Sequence, residues 1–325
     1  MKMLFTIRRA ETSQDFEDYY AISFSLFKRF FYKGSTEPDE VLFERHRSEL
    51  QEIDFDDPNR CLYVAHNERG VFAGALWVGV REEGFVWDLP EEIPAWVYDV
   101  EVVPASRGQG LGRQLMLQAE EWTREKGIKT IGLHTSHDLD IALHLYRSMG
   151  YKETSIILRK AIVGDVALPA TPFTTRVPSV NEDLSEYHRM RLESFRELVT
   201  GGAALSGEDV RERYPRFKAA FDLTDPTRRA YLAETTDGKF AGFILAVLQQ
   251  KGEEKRVWLL DLQVKPQFRR RRLGTLLLKL IENWSHAQGS NSVQMFLNVH
   301  FQGAVKLLQS MEFETTNFYM EKALS

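Results

Sequence analysis

Val102-Val103-Pro104-Ala105-Ser106-Arg107-Gly108-Gln109-Gly110-Leu111-Gly112 closes a hydrophobic strand and opens an amphipathic helix. Its like returns 162 positions later (264 − 102) as Val264-Lys265-Pro266-Gln267-Phe268-Arg269-Arg270-Arg271-Arg272-Leu273-Gly274. Such a strand-to-helix turn aims several backbone N–H groups and the positive end of the helix dipole at one spot, an arrangement that suits a phosphate or pyrophosphate. The first copy keeps its glycines, whereas the second carries Arg272 where the first has Gly110.

The likeness extends outward from the turn. At the same shift Asp99 meets Asp261, Glu120 meets Glu282, Trp122 meets Trp284 and Ser148-Met149 meets Ser310-Met311. Upstream the shift becomes 168 (173 − 5), where Phe5-Thr6 aligns with Phe173-Thr174, Tyr19 with Tyr187 and Phe72-Ala73-Gly74 with Phe240-Ala241-Gly242. Matches on two diagonals point to duplication of a unit of about 160 residues. The stretch Gly164 to Pro172, rich in proline and small residues, reads as the seam, which sets domains at 1–165 and 170–325. A chain of 325 residues accommodates about two domains on size alone.

Composition narrows the class. The chain is 43% hydrophobic and 27% charged with a net charge of −5, and no apolar run is long enough to cross a bilayer. The residues Met1 to Arg9 lack the apolar stretch and cleavage site of a signal peptide, so a cytoplasmic protein without a membrane partner is expected. Cys61 is the one cysteine, which excludes an intrachain disulfide and a cysteine-based metal cluster, and no metal is expected. A pI of about 6.0 argues against nucleic acid as a partner. A monomer or homodimer both fit.

Within the first unit, Ser13 is the expected cap of a helix to about Phe31, and a second helix is expected over Asp39 to Ile53. Cys61 to His66 and Val71 to Val80 read as strands about the turn Asn67-Glu68-Arg69-Gly70, and Trp96 to Val103 as the next strand. Leu111, Leu115, Ala119 and Trp122 then recur at helical spacing, as do Leu273, Leu277, Ile281 and Trp284. A strand near Thr130 to Leu133, a helix from Asp138 to Met149 and a strand near Ser155 to Ile162 complete an α/β unit, a mixed sheet flanked by helices in the order β-α-α-β-β-β-α-β-α-β.

Two familiar nucleotide turns do not fit. The glycines fall as Gly108-x-Gly110-x-Gly112 rather than G-x-G-x-x-G, and Gly112 is followed by Arg113-Gln114 rather than Lys-Ser/Thr. The pattern Arg107-x-x-Gly110-x-Gly112, preceded by Val102-Val103-Pro104, instead resembles the signature of the GNAT N-acetyltransferase superfamily, and the resemblance covers the chain as two tandem copies. It implies that Arg107, Gly108, Gln109, Gly110, Leu111, Gly112 and Arg113 receive the pyrophosphate of acetyl-CoA, and that the pantetheine arm runs beside the strand at Val102 and Val103.

The same resemblance implies the catalytic groups. Tyr146, four residues before Gly150, takes the place of the family's general acid. Asp88, Glu91, Glu92, Asp99 and Glu101 form an acidic cluster before and on the fourth strand, where a base for the amine is expected. Strand alternation sets Asp99 and Glu101 on one face unless a bulge intervenes; Glu101 is favoured over Asp99, and His134 and His137, near the end of the fifth strand, rank below Glu101. The cluster would draw a cationic acceptor such as a polyamine, an aminoglycoside or a lysine-bearing peptide. Burial is the expected fate of Cys61, which leaves direct transfer to a small-molecule or peptide amine rather than a covalent acyl-cysteine. In the second copy Arg272, Leu308 and Glu312 replace Gly110, Tyr146 and Gly150, so that copy is expected to be degenerate. Two rivals remain, a non-catalytic acyl-CoA sensor and a two-domain acetyltransferase of a thiol pathway.

Overall fold

The computed structural model describes residues 4–31, 35–81, 94–179, 184–200, 223–251 and 254–324. The first copy runs β1 (Phe5–Arg9), α1 (Ser13–Phe31), α2 (Asp39–Gln51), β2 (Arg60–Asn67), β3 (Phe72–Val80), β4 (Ala95–Val102), α3 (Leu111–Glu125), β5 (Thr130–Ser136), α4 (Asp140–Ser148) and β6 (Lys152–Ala161). The element order matches the sequence reading. The second copy runs β7 (Phe173–Arg176), α5 (Ser185–Thr200), β8 (Arg228–Thr235), β9 (Phe240–Lys251), β10 (Glu254–Val264), α6 (Leu273–Ala287), β11 (Ser292–Asn298), α7 (Gln302–Ser310) and β12 (Glu314–Ala323).

One local expectation is corrected. The cap of α1 is Thr12 rather than Ser13: the Asp15 N–H donates to Thr12 Oγ1 at 3.2 Å, while the Asp15 carboxylate accepts the N–H groups of Thr12 and Glu11 at 2.9 and 3.0 Å. This reciprocal arrangement satisfies helix-start donors, and Arg8 holds the carboxylate in place through two 2.8 Å bonds.

Apolar periodicity decides which face each helix buries. Leu111, Leu115, Ala119 and Trp122 of α3 are each at most 1% exposed and pack with α4 against one face of the sheet. α1 and α2 cover the opposite face over Leu62, Val64 and Ala75. In the second copy α6 buries Leu273, Leu277, Ile281 and Trp284 in the same way. Cys61 is 3% exposed within the first core, and burial pushes its thiol up, away from the reactive thiolate.

The two copies share one sheet, in the strand order β1-β2-β3-β4-β5-β12-β6-β11-β10-β9-β8-β7. Each copy gives its last strand to the other. β12 pairs with β5 from Asn317↔Ser136 to Ala323↔Thr130, β6 pairs with β11 from Ser292↔Ala161 to Asn298↔Ser155, and β6 and β12 lie antiparallel at the centre. The connecting segment is docked on α6, where Val166 exchanges hydrogen bonds with the Asn283 amide at 2.7 and 3.0 Å.

A buried ion pair closes each exchange. Lys322 on β12 meets Glu120 of α3 at 2.7 Å, and Lys160 on β6 meets Glu282 of α6 at 2.9 Å. The two glutamates are 2% and 1% exposed. The matched pair Glu120 and Glu282 that stood out in the repeat is therefore a fastening of the exchanged strands.

Candidate active site

β4 and β5 run parallel but pair only from Ala95↔Ile131 to Val97↔Leu133. Beyond Val97 the two strands part and leave a wedge. The bend has a visible cause: the β3–β4 register slips between Trp77 and Val78, which leaves Tyr98 as an extra residue. A bulge of this kind bends its strand and breaks the alternation. The Tyr98 ring stacks on Trp77 with centroids 4.3 Å apart. Past the bulge Asp99 lies opposite Trp77 and Glu101 opposite Ala75, which sets both carboxyls on the face that α1 covers. Gly74 makes this close pairing possible, because a Cβ there would strike the Glu101 carbonyl oxygen.

The carboxyls are held in an environment that resists ionisation. Burial raises Asp99 to about 7 even though the Tyr19 phenol donates a hydrogen bond to it. Burial likewise raises Glu101 to about 8, with the neighbouring charge of Asp99 adding to the shift and Arg107 opposing it. Tyr146 is 6% exposed. Its phenol is raised by burial first and then by the negative charges of Asp99 and Glu101, so it stays protonated. Tyr146 on α4 thus lies near enough to the two carboxyls on β4 to feel their negative charge.

The turn at the mouth of the wedge is braced by its own side chains. Arg107 Nε donates to the Val102 carbonyl at 3.0 Å and Gln109 Nε2 to the Ala105 carbonyl at 3.0 Å. Gly108 and Gly110 have φ of 72° and 87°, a region that side chains avoid, and the space where their Cβ would stand is open. Gly110 caps α3, and the first bond of that helix runs from Gln114 N–H to the Gly110 carbonyl at 3.1 Å. The N–H groups of Leu111, Gly112 and Arg113 therefore have no partner inside the helix. Arg113 ties α3 to α4 by donating to Ser148 Oγ at 2.5 Å. Val103 directs its N–H to the Ala73 carbonyl at 2.9 Å, so alternation turns the main chain of Val102 toward the wedge.

The remaining candidates fall elsewhere. His134 is exposed in an aromatic group with Trp96 and Tyr319, at centroid distances of 6.5 and 5.7 Å. His137 Nδ1 lies 3.1 Å from the Thr316 carbonyl. Asp88, Glu91 and Glu92 lie outside the described residues. Among the described residues no group of His, Cys, Asp and Glu is placed to hold a metal ion, and no helix is long and apolar enough to cross a membrane.

The second copy shows what has changed. Tyr187 donates to Asp261 at 2.7 Å, the counterpart of Tyr19 and Asp99, but Asp261 also pairs with Arg191 at 2.8 Å where the first copy has Ser23. Gln263 stands where Glu101 does, and Leu308 where Tyr146 does. Sequence reasoning missed Tyr19, Gln263 and Arg191 as informative positions. The match of Tyr19 with Tyr187 was the available signal for the first, and the shift of 162 from Glu101 for the second; Arg191 needed the α1–β4 contact and its counterpart.

A model of the acetyltransferase (GNAT) family matches residues 21–151 and again residues 187–313. The chain belongs to this family. It is a tandem GNAT acetyltransferase, an acyltransferase built of two copies of one fold. The uncharacterized N-acetyltransferase YdgE of Bacillus subtilis is 26% identical over 163 residues, which span 49% of this chain and 99% of that protein. The mycothiol acetyltransferase of Rhodococcus erythropolis is 33% identical over 98 residues, 30% of this chain and 31% of that enzyme. A solved GCN5-related N-acetyltransferase from Sphaerobacter thermophilus matches over 98% of this chain and 95% of its own, with a TM-score of 0.57 at 17% identity, which shows the shared fold.

Proposed function

We propose that the first copy transfers an acetyl group from acetyl-CoA to a primary amine of a small molecule or peptide, in one direct step, while the second copy is structural in that reaction. The nearness of Tyr146 to the charges of Asp99 and Glu101, together with the braced turn Arg107 to Gly112, supports this reading. In it the N–H groups of Leu111, Gly112 and Arg113 grip the donor diphosphate, and the pantetheine arm lies against the main chain of Val102.

The chemistry follows from the protonation states. An ammonium gives a proton to the Glu101 carboxylate, the neutral nitrogen adds to the thioester carbonyl carbon, the C–S bond breaks as Tyr146 protonates the departing thiolate, and the second proton on the new amide nitrogen returns to the Tyr146 phenolate while Glu101 releases its own to solvent. Glu101 is the base rather than Asp99 because the Asp99 carboxylate is engaged by the Tyr19 phenol. Asp99 then serves to hold the proton affinity of Glu101 high.

Two predictions test the site. The base must be ionised, so kcat/KM is expected to rise with pH through about 7 to about 8 and to level above, with apparent values that belong to the pair. Asp99→Asn removes the neighbouring charge and is expected to move the rise to lower pH. A wild-type profile that is flat from about pH 6 to about 9 contradicts the assignment.

The second prediction concerns the turn. Gly110→Glu places a carboxylate in the open space before the amides and is expected to raise the KM for acetyl-CoA by about 10-fold or more. Release of free thiol across an amine panel tests the reaction itself. Acetyl-CoA binding with no thiol release from any amine would make the protein a sensor instead. Activity that falls steeply with ionic strength is expected for a cationic acceptor.

A further inference from the structure

The two copies treat one matched aspartate differently. In the second, Tyr187 donates to one oxygen of Asp261 at 2.7 Å, Arg191 pairs with the same oxygen at 2.8 Å, and Gln263 Nε2 donates to the other at 3.0 Å. Tyr187 and Arg191 stand about one turn apart on α5 and both reach across to β10. Arg191 is 3% exposed, so the fold has room for a guanidinium between that helix and the sheet.

Each of these positions has a counterpart in the first copy. At the shift of 168 (191 − 23) Tyr187 answers to Tyr19 and Arg191 to Ser23, and at the shift of 162 (263 − 101) Asp261 answers to Asp99 and Gln263 to Glu101. The tyrosine keeps its bond, since the Tyr19 phenol donates to Asp99. A hydroxyl stands in for the guanidinium, and a second carboxyl for the amide. Among the described residues, the groups that hold the Asp99 carboxylate are the Tyr19 phenol and the Val100 amide, neither of them a cation.

Ser23 is itself engaged elsewhere. Its Oγ lies 2.8 Å from His46 Nε2 on α2 and 3.3 Å from the Tyr20 carbonyl, and both side chains are buried. A hydroxyl carries one proton, and whichever tautomer His46 adopts, His46 and the Tyr20 carbonyl account for it. The Phe27 ring packs on His46 at a centroid distance of 4.2 Å, and burial lowers the imidazole to about 4. The anchor is therefore neutral near neutral pH and brings no positive charge toward β4.

We propose that Ser23, anchored on His46, is a positioning residue that acts through Asp99: it withholds a cation where Arg191 supplies one to Asp261, and so leaves Glu101 a working base. The inference deepens the acetyl-transfer reading and rests on it for the reaction served. The titratable and charged groups that face the two carboxyls are Tyr19 from α1, Tyr146 from α4 and Arg107 from the turn, and Ser23 adds no charge to them. A guanidinium at position 23 would hold Asp99 ionised and neutralise it as a pair. Glu101 would then lose the neighbouring charge that helps keep its proton affinity high, and would become a weaker base that ionises at lower pH. One position on the first helix thus separates a copy poised to take a proton from one that is not.

Ser23→Arg tests this by carrying the second copy's residue into the first. Two readouts are taken on the full chain: carbon-NMR titration of the side-chain carboxyls, assigned with Asp99→Asn, and the pH profile of kcat/KM for amine-dependent thiol release. Both midpoints are expected to fall by about one pH unit or more, because a close opposite charge favours the carboxylate. Ser23→Met, of similar length without the charge, and Ser23→Ala are expected to leave both midpoints where the wild type has them. Ser23→Ala decides the matter alone if the larger residues fail to fold: a raised midpoint would mean that the hydroxyl serves Asp99 directly, and overturns the proposal. Carboxyl midpoints that Ser23→Arg leaves in place, or that Ser23→Met lowers equally, overturn it too. A carboxyl midpoint that falls while the rate profile stays put overturns the role of Ser23 in the reaction. The titration needs no substrate, so a wild type that releases no thiol faults the acetyl-transfer reading while the titration still decides the tuning.

Discussion

Tyr146→Phe is expected to slow acetyl transfer by about 10²- to 10⁴-fold, the usual contribution of a positioned proton donor, with little change in acetyl-CoA affinity. The ring is 6% exposed and sits beside Tyr151 at a centroid distance of 6.1 Å, so phenylalanine keeps the packing and removes the hydroxyl alone. Burial and the two neighbouring carboxyls keep the phenol protonated across the working pH range. In the proposed reaction the coenzyme A thiolate that leaves the acetyl carbon then finds a proton already in place. Steady-state rates of thiol release, set against calorimetric affinity for acetyl-CoA, separate chemistry from binding. An unimpaired rate with phenylalanine would remove Tyr146 from the mechanism.

Lys160→Met is expected to destabilise the fold by about 3–5 kcal/mol, because it strands the buried Glu282 carboxylate without its partner. Glu282 is 1% exposed, and Lys160 reaches it at 2.9 Å from the strand that crosses into the other copy. The double variant Lys160→Met/Glu282→Leu is expected to recover most of that loss, since an apolar pair of similar volume carries no desolvation cost. Lys322→Met should cost less, because Glu120 retains Arg124 at 3.6 Å. Urea unfolding of the four proteins checks the ranking. Equal stability of wild type and Lys160→Met would mean that the pair does not fasten the exchange.

Much of the architecture was legible because it rests on local rules. The spacing of Leu111, Leu115, Ala119 and Trp122 placed α3, and the Asn67 to Gly70 turn placed the β2–β3 hairpin, since both depend on residues close in sequence. Helix ends were less legible. The cap at Thr12 depends on where the Asp15 carboxylate is pulled by Arg8, a contact made across β1 and α1.

The candidate site divides along the same line. The turn Arg107 to Gly112 declares itself in sequence, because φ of 72° and 87° at Gly108 and Gly110 favours glycine there. The pairing of Asp99 with Tyr19 does not, for it depends on α1 lying over β4 past the bulge at Tyr98. The loss of a usable carboxylate in the second copy has the same origin, in Arg191 arriving from α5.

By itself the sequence determined the duplicated unit, its order of strands and helices, and the glycine turn before α3, because hydrophobic period and glycine placement act over a few residues. Only the tertiary structure decided that each copy hands its last strand to the other, that Glu120 and Glu282 fasten this exchange, and that Tyr19 donates to Asp99. Those outcomes depend on strand pairing and burial between segments far apart in the chain, where register and the cost of an unpaired buried charge choose the partner.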